Sequence, residues 1–185
     1  MKYYRTVTLK DGRPCTLRNA EEQDTQAILN NFILTHGQTD FLTTYPEETQ
    51  FTTDQEKDFL CQRAESAREI LIAAEIGGVI TGTTGIGTVR NAEKTKHRAA
   101  FGIAIDKAWW GLGIGRALTE ACIECARTAG YTQLELEVVA YNEKALSLYK
   151  SVGFVEYGRN PKAFFSRYSG WQENILMRLE LDNRI

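Results

Sequence analysis

The segment Trp110-Gly111-Leu112-Gly113-Ile114-Gly115-Arg116 is the part of the chain best suited to chemistry. It lies between a strand-like run and a helix-like run. A helix N-terminus presents N–H groups without partners and roughly half a positive charge. Glycines remove the side chains that would hold an anion away from the backbone. Arg116 adds a fixed cation with several donors. The combination suits a diphosphate, and the same turn would serve equally well as a tight connection that binds nothing. Gly115 is followed by Arg116-Ala117 rather than Lys-Ser/Thr, so a triphosphate loop is not supported. A dinucleotide fingerprint needs a different third glycine spacing and an acidic residue at the end of the next strand. A second run, Gly82-Thr83-Thr84-Gly85-Ile86-Gly87, sits inside strand-like sequence with no helix after it. It reads as a strand whose small residues leave room for a neighbour.

Other reactive side chains are sparse. Cys122-x-x-Cys125 has half the spacing of a zinc or redox site. No second pair completes four ligands, and both residues fall on the apolar face of a helix pattern. They read as buried, inert thiols, as free cysteine usually is. His36 and His97 stand alone and read as a loop and a strand-edge histidine. Glu135 and Glu137 alternate with Leu134, Leu136 and Val138, which reads as the solvated side of a half-buried strand. Between Asp40 and Asp58, six carboxylates face the single cation Lys57. Such a segment either attracts a cationic amine or simply forms a solvated loop and helix face.

These groups need elements to position them. Residues 14–18 read as a short strand, followed by a helix with Ala27, Ile28, Phe32 and Ile33 at helical spacing and Asp24 or Thr25 as cap. Residues 36–52 read as loop. A second helix runs from Thr53 to about Ala67, with Thr53-x-x-Glu56 as its capping box. Ile70–Ile76 and Val79–Val89 flank Gly77-Gly78 as a hairpin, and Arg98–Ile105 is a third strand. A helix from Ile114 carries Leu118, Cys122, Cys125 and Ala129 on one face, with Gly130 beyond its end. Leu134–Val139 is a strand and Glu143–Ser151 a short helix. Another strand begins after Gly153-Phe154, and Asn174–Leu181 closes the chain. Strands and helices alternate only in the second half, so one α/β domain with a mixed sheet over residues 1–185 is expected.

The whole chain bounds these readings. It has 185 residues, 43% hydrophobic and 25% charged, the usage of an ordinary globular domain. Twenty-two basic and 24 acidic residues give a net charge of −2, which argues against a nucleic-acid module. No run approaches the ~18–20 apolar residues of a membrane span, and the first residues lack a secretory core. Reduced thiols and a cytoplasmic location are the expectation.

The segment Leu134–Phe154 contains a strand, Asn142, a short helix with Ala145 and Leu148-Tyr149, and then Gly153-Phe154. It resembles the second half of the GCN5-related N-acetyltransferase (GNAT) superfamily. The upstream turn is similar to that family's pyrophosphate loop, [Gln/Arg]-x-x-Gly-x-[Gly/Ala]. The two motifs occur in the family's order and spacing, over about residues 98–158. Trp110 departs from the pattern, standing where Gln or Arg is usual. The loop form and the ending Phe164-Phe165…Gly170-Trp171…Asn174-Ile175-Leu176-Met177 are closest in look to the ribosomal-protein and polyamine acetylating branch.

The resemblance implies a mixed, mostly antiparallel sheet flanked by helices, with a splayed strand pair that holds acetyl coenzyme A as co-substrate. Its pyrophosphate would rest on the amides of Gly111, Leu112, Gly113, Ile114, Gly115 and Arg116, with Trp110 packing on the loop or the ligand. The arm would pair with Ile103, Ala104 and Ile105, and Asn142 would bind it. Tyr149 would be the general acid that protonates the leaving thiolate. The acceptor would be an amine on a small molecule or a peptide, with a polyamine-like amine or a protein N-terminus favoured. A neutral amine needs a base, none shows before the loop, and a water relay is the default. No metal is implied, and a homodimer is compatible with the family. The same fold would also accommodate a coenzyme-A sensor without turnover, or an enzyme using another acyl donor.

Overall fold

The computed structural model describes residues 1–48 and 51–181. The part of the expected 36–52 loop at residues 49–50 lies outside the described residues. Among those described, eight strands form one sheet: β1 (Tyr4–Thr8), β2 (Pro14–Asn19), β3 (Ile70–Ile76), β4 (Val79–Thr88), β5 (Arg98–Ile105), β6 (Gln133–Val139), β7 (Val155–Ser166) and β8 (Gly170–Glu180). Their order is β1-β2-β3-β4-β5-β6-β8-β7. β5 and β6 are parallel, and the other neighbours are antiparallel. The helices are α1 (Thr25–Gln38), α2 (Thr53–Glu65), α3 (Ile114–Thr128) and α4 (Glu143–Ser151). The mixed, mostly antiparallel sheet flanked by helices is the expected architecture.

Directly opposed residues share a sheet face, so the register assigns every side chain to one. α3 covers one face, burying Ile114, Leu118, Ala121, Cys122 and Cys125 against Ile72, Phe101, Leu134 and Met177. Burying each large apolar side chain there contributes roughly 1.5–3 kcal/mol. α1 and α2 cover the other face over β3 and β4, through Ile28, Leu60 and Ala73, and α1 also touches β5. At Ala100 and Gly102 of β5 that second face stays open: both are exposed, and a Cβ on Gly102 would meet nothing within 4 Å.

The decisive feature is where β5 and β6 part. They pair only from Arg98–Ala100 against Gln133–Glu135. Beyond that point β5 stays bonded to β4 as far as Ile105, and β6 to β8 as far as Val139. The edges of Phe101–Ile105 and Leu136–Val139 that face each other form a fork with no ladder between them.

Several sequence expectations shift. β1 has no alternation to reveal it, because nearly all of it is exposed. α1 continues to Gln38, three residues into the expected loop, and His36 belongs to it. The capping box of α2 is Thr52 with Gln55, one residue earlier than read. Glu56 is thereby turned inward, 6% exposed, and burial raises its pKa. Asp24 gives α1 no side-chain cap; its carboxylate accepts from Arg18 at 2.6 and 2.9 Å and from Glu21 N–H at 2.8 Å. β8 begins at Gly170, four residues before the expected start.

Candidate active site

At the open end of the fork, Asp106 begins the turn by accepting from Ala108 N–H at 3.1 Å. Gln38, at the end of α1, braces it from outside. Its Nε2 donates to Asp106 Oδ1 at 2.8 Å, and its Oε1 accepts from Lys107 N–H at 2.7 Å. Trp110 Nε1 donates to Ile105 O at 2.8 Å, so the residue that replaces the usual Gln or Arg closes the turn on its own strand. Gly111 and Gly113 take φ of +83° and +103°, a region L side chains rarely adopt, and a Cβ on either would point into open space. Gly113 is the N-cap of α3 and offers no side chain to its first amides. The first helical amide with a partner is that of Ala117, bonded to Gly113 O at 3.1 Å. The amides of 111–116 meet no acceptor among the described residues. Gly115 permits close packing, since its Cβ would sit 3.4 Å from Leu148 and 3.6 Å from Ile105. The Arg116 guanidinium runs away along α3 to Glu120 at 3.3 Å and Ser151 Oγ at 2.7 Å. The turn therefore offers backbone donors, while that cation lines a separate cleft of about 560 Å³ with Arg5, Arg127 and Ser151.

Asn142 precedes α4 just beyond β6, and Tyr149 reaches the fork from within that helix. Asn142 caps that helix with its Oδ1, which accepts from Ala145 N–H at 3.2 Å. Its amide nitrogen has no partner among the described residues. Tyr149 is 6% exposed. Its ring stands edge-on to Phe101, the first β5 residue past the last rung, with centroids 5.8 Å apart. Burial drives the phenol pKa well above its ordinary value, so it stays protonated. Its hydroxyl makes no hydrogen bond among the described residues. The oxygen is not one of the fully buried unpartnered polar atoms, so it opens to a surface where solvent or a ligand can meet it. Burial likewise pushes the Cys122 and Cys125 thiols up, to about 12 and about 11. Cys122 packs on Thr84 inside the core.

On the open face, alternation sends Glu135 and Glu137 to the same side as Ala100 and Gly102. Glu135 is 8% exposed and paired with Arg98, whose Nη2 donates at 2.7 Å. Glu137 is exposed and accepts from Asn174 Nδ2 at 3.0 Å. It stands just past the last rung, beside the fork. Sequence reading placed it on a solvated face; the missing signal was that this face overlooks the parting of the strands. His36 is not in this group: it stacks on Phe32 at 3.7 Å, bonds Phe32 O through Nδ1 at 2.8 Å, and burial lowers its pKa.

A strap formed by residues 39–48 crosses from α1 to the β7–β8 turn. Asp40 accepts from Ser166 Oγ at 2.7 Å and from Ser169 Oγ. Arg167 N–H donates to Tyr45 Oη at 2.6 Å, and its guanidinium pairs with Glu47 at 2.5 Å while lying 3.5 Å over the Tyr45 ring. Phe41 packs on Tyr141, at the end of β6, with centroids 5.3 Å apart. Asp40 and Glu47 are thus engaged within the fold rather than presented as an acidic lip.

The sequence model of the Acetyltransferase (GNAT) family matches residues 33–154. L-amino acid N-acyltransferase MnaT of Escherichia coli is 27% identical over 114 residues, 62% of this chain and 66% of MnaT. The [ribosomal protein bS18]-alanine N-acetyltransferase of Salmonella typhimurium is 36% identical over 81 residues, 44% of this chain and 54% of that protein. The chain thus spans just under two thirds of the first relative and about half of the second. A GNAT-family acetyltransferase from Streptococcus pneumoniae superimposes with a TM-score of 0.85 at 26% identity, covering 90% of this chain and 99% of its own. YncA of Salmonella typhimurium, solved with its cofactor acetyl-CoA, shares the fold with a TM-score of 0.81 at 22% identity, over 92% of this chain and 95% of its own.

Proposed function

This chain belongs to the acetyltransferase (GNAT) family, and from that premise we propose that it transfers an acetyl group from acetyl coenzyme A to an amine by direct attack through a tetrahedral intermediate. The observation that carries this reading is the fork: a sheet parted at Ala100, with unpartnered turn amides at its open end. An extended amide-bearing arm can take the place of the missing ladder, and a diphosphate can accept from the amides of 111–116. Bound there, the thioester would supply the electrophilic carbon and, as the carbon–sulfur bond breaks, a thiolate.

This chain's residues have three tasks. The fork-edge amides of Ile103 and Ile105, alternating with that of Ala104 which turns to β4, donate to the arm and to oxygen charge that develops on the attacked carbon. Asn142 keeps its cap through Oδ1 and offers Nδ2 to the arm. Tyr149, buried and protonated, gives its proton to the sulfur. α3 and α4 occupy one face, so the amine approaches from the other, where Glu137 receives its proton directly or through water. The acceptor is a small-molecule or peptide amine.

Calorimetric titration with coenzyme A, followed by thiol-release assays on an amine panel with acetyl coenzyme A, tests the reading. Micromolar to submillimolar binding and amine-dependent thiol release are expected. No heat at millimolar coenzyme A would overturn it.

A further inference from the structure

The segment that leads into the diphosphate turn leaves the sheet before it reaches α3. Gly82 and Ile105 are the last pair of β4 and β5, and Asp106 N–H still donates to Thr81 O at 2.9 Å. Lys107–Trp109 then form a single 3-10 turn, closed by Trp109 N–H to Asp106 O at 2.9 Å and Trp110 N–H to Lys107 O at 3.2 Å. Gly111 and Gly113 follow, residue types that leave a backbone free to move. Hydrogen bonds from outside fix the segment at each end. Lys10 N–H, in the turn between β1 and β2, donates to Leu112 O at 3.0 Å. Gln38 holds Asp106 and Lys107. Among the described residues it is the one side chain of another element that hydrogen-bonds the segment from Asp106 to Leu112.

The clasp calls for a primary amide. Asp106 Oδ1 accepts from Ala108 N–H at 3.1 Å and from Gln38 Nε2 at 2.8 Å, while Gln38 Oε1 accepts from Lys107 N–H at 2.7 Å. One end must donate to a carboxylate and the other must accept from an amide. Glutamate would set a second carboxylate against Asp106, and lysine would offer Lys107 no acceptor. Gln38 is itself held on both flanks. It ends α1, which packs on β4 and β5, and two residues later Asp40 is tied to Ser166 and Ser169. Trp110 cannot take over the task, because its indole N–H is engaged by Ile105 O. We propose that Gln38 is a positioning residue for coenzyme A: through Asp106 and Lys107 it holds the amides of 111–116 in the arrangement a diphosphate needs. This rests on the acetyl-transfer reading above, and it extends the site to a residue 69 positions before Lys107, outside both sequence motifs. Donors fixed in advance need no ordering when the anion arrives. Without the clasp, Lys107 N–H turns to water and the ligand must order the glycine segment itself. The loss therefore falls on the diphosphate and spares the arm, which meets the edge of β5.

The test titrates coenzyme A into the protein by calorimetry. Gln38→Leu keeps the volume and removes both polar atoms, and Gln38→Glu keeps the acceptor and removes the donor. Each variant is expected to bind coenzyme A about fivefold to twentyfold more weakly than the wild type, the span of one or two lost hydrogen bonds. Pantetheine, which lacks the diphosphate, is followed in parallel by ligand-observed NMR up to tens of millimolar. Its response should be the same in wild type and variants, with thermal midpoints within a few degrees of each other. Should Gln38→Leu fail to fold, Gln38→Glu carries the same comparison. Coenzyme A affinity within about twofold of wild type, or a pantetheine response that falls in step with coenzyme A affinity, would overturn the positioning role while leaving acetyl transfer standing. Failure of the wild-type protein to bind coenzyme A would overturn the underlying reading instead.

Discussion

Tyr149 is legible from sequence because it sits at a fixed distance before Gly153-Phe154, inside a motif of a few contiguous turns. What it touches is not. The edge-on contact with Phe101 spans about a quarter of the chain, and the burial that keeps the phenol protonated comes from that contact and from Phe154. Raised above the ordinary value near ~10, the group remains a proton donor through the neutral range. Tyr149→Phe should lower kcat roughly a hundredfold and leave coenzyme A affinity intact by calorimetry. The variant should also lose the alkaline limb that ionisation above pH ~10 would impose on the wild-type kcat profile. Unimpaired turnover would remove Tyr149 from the reaction. Glu137 was visible in the sequence but not interpretable there. Its support, Asn174, is 37 residues away on another strand, and no spacing rule connects the two.

At the scale of elements, the helix and strand periods carried most of the reading, and errors fell where a side chain's partner lies outside its own element. Thr53-x-x-Glu56 has the letters of a capping box as truly as Thr52 with Gln55 has its geometry. Choosing between them needed the knowledge that Glu56 faces inward. The turn before α3 was read correctly because glycine's freedom is a local property. Gly113→Val places a branched side chain at φ +103°, where it costs about 1–2 kcal/mol, and projects it over the amides of α3. Coenzyme A affinity should fall more than tenfold while thermal unfolding shows only a drop of a few degrees. Undiminished affinity would place the diphosphate somewhere else.

For the molecule as a whole, composition and charge gave the class, and the resemblance gave the architecture. The fork itself was not readable from local pattern, since Phe101–Ile105 looks like any apolar strand and β6 like any alternating one. Nor was the strap, whose anchors pair Asp40 with residues 126 and 129 positions later. Asp40→Ala should release the strap from the β7–β8 turn. We expect a several-fold rise in acceptor KM with coenzyme A affinity unchanged, and faster proteolytic cleavage within residues 39–48. An unaltered KM would show that the strap does not shape the acceptor side. The gap between β5 and β6 also means that whatever fills it adds to the stability of the fold. A guest held at a hundred times its dissociation constant adds about 2.7 kcal/mol to a native state whose whole margin is typically about 5–15 kcal/mol. Saturating coenzyme A is therefore expected to raise the melting temperature of this chain by several degrees in a calorimetric scan.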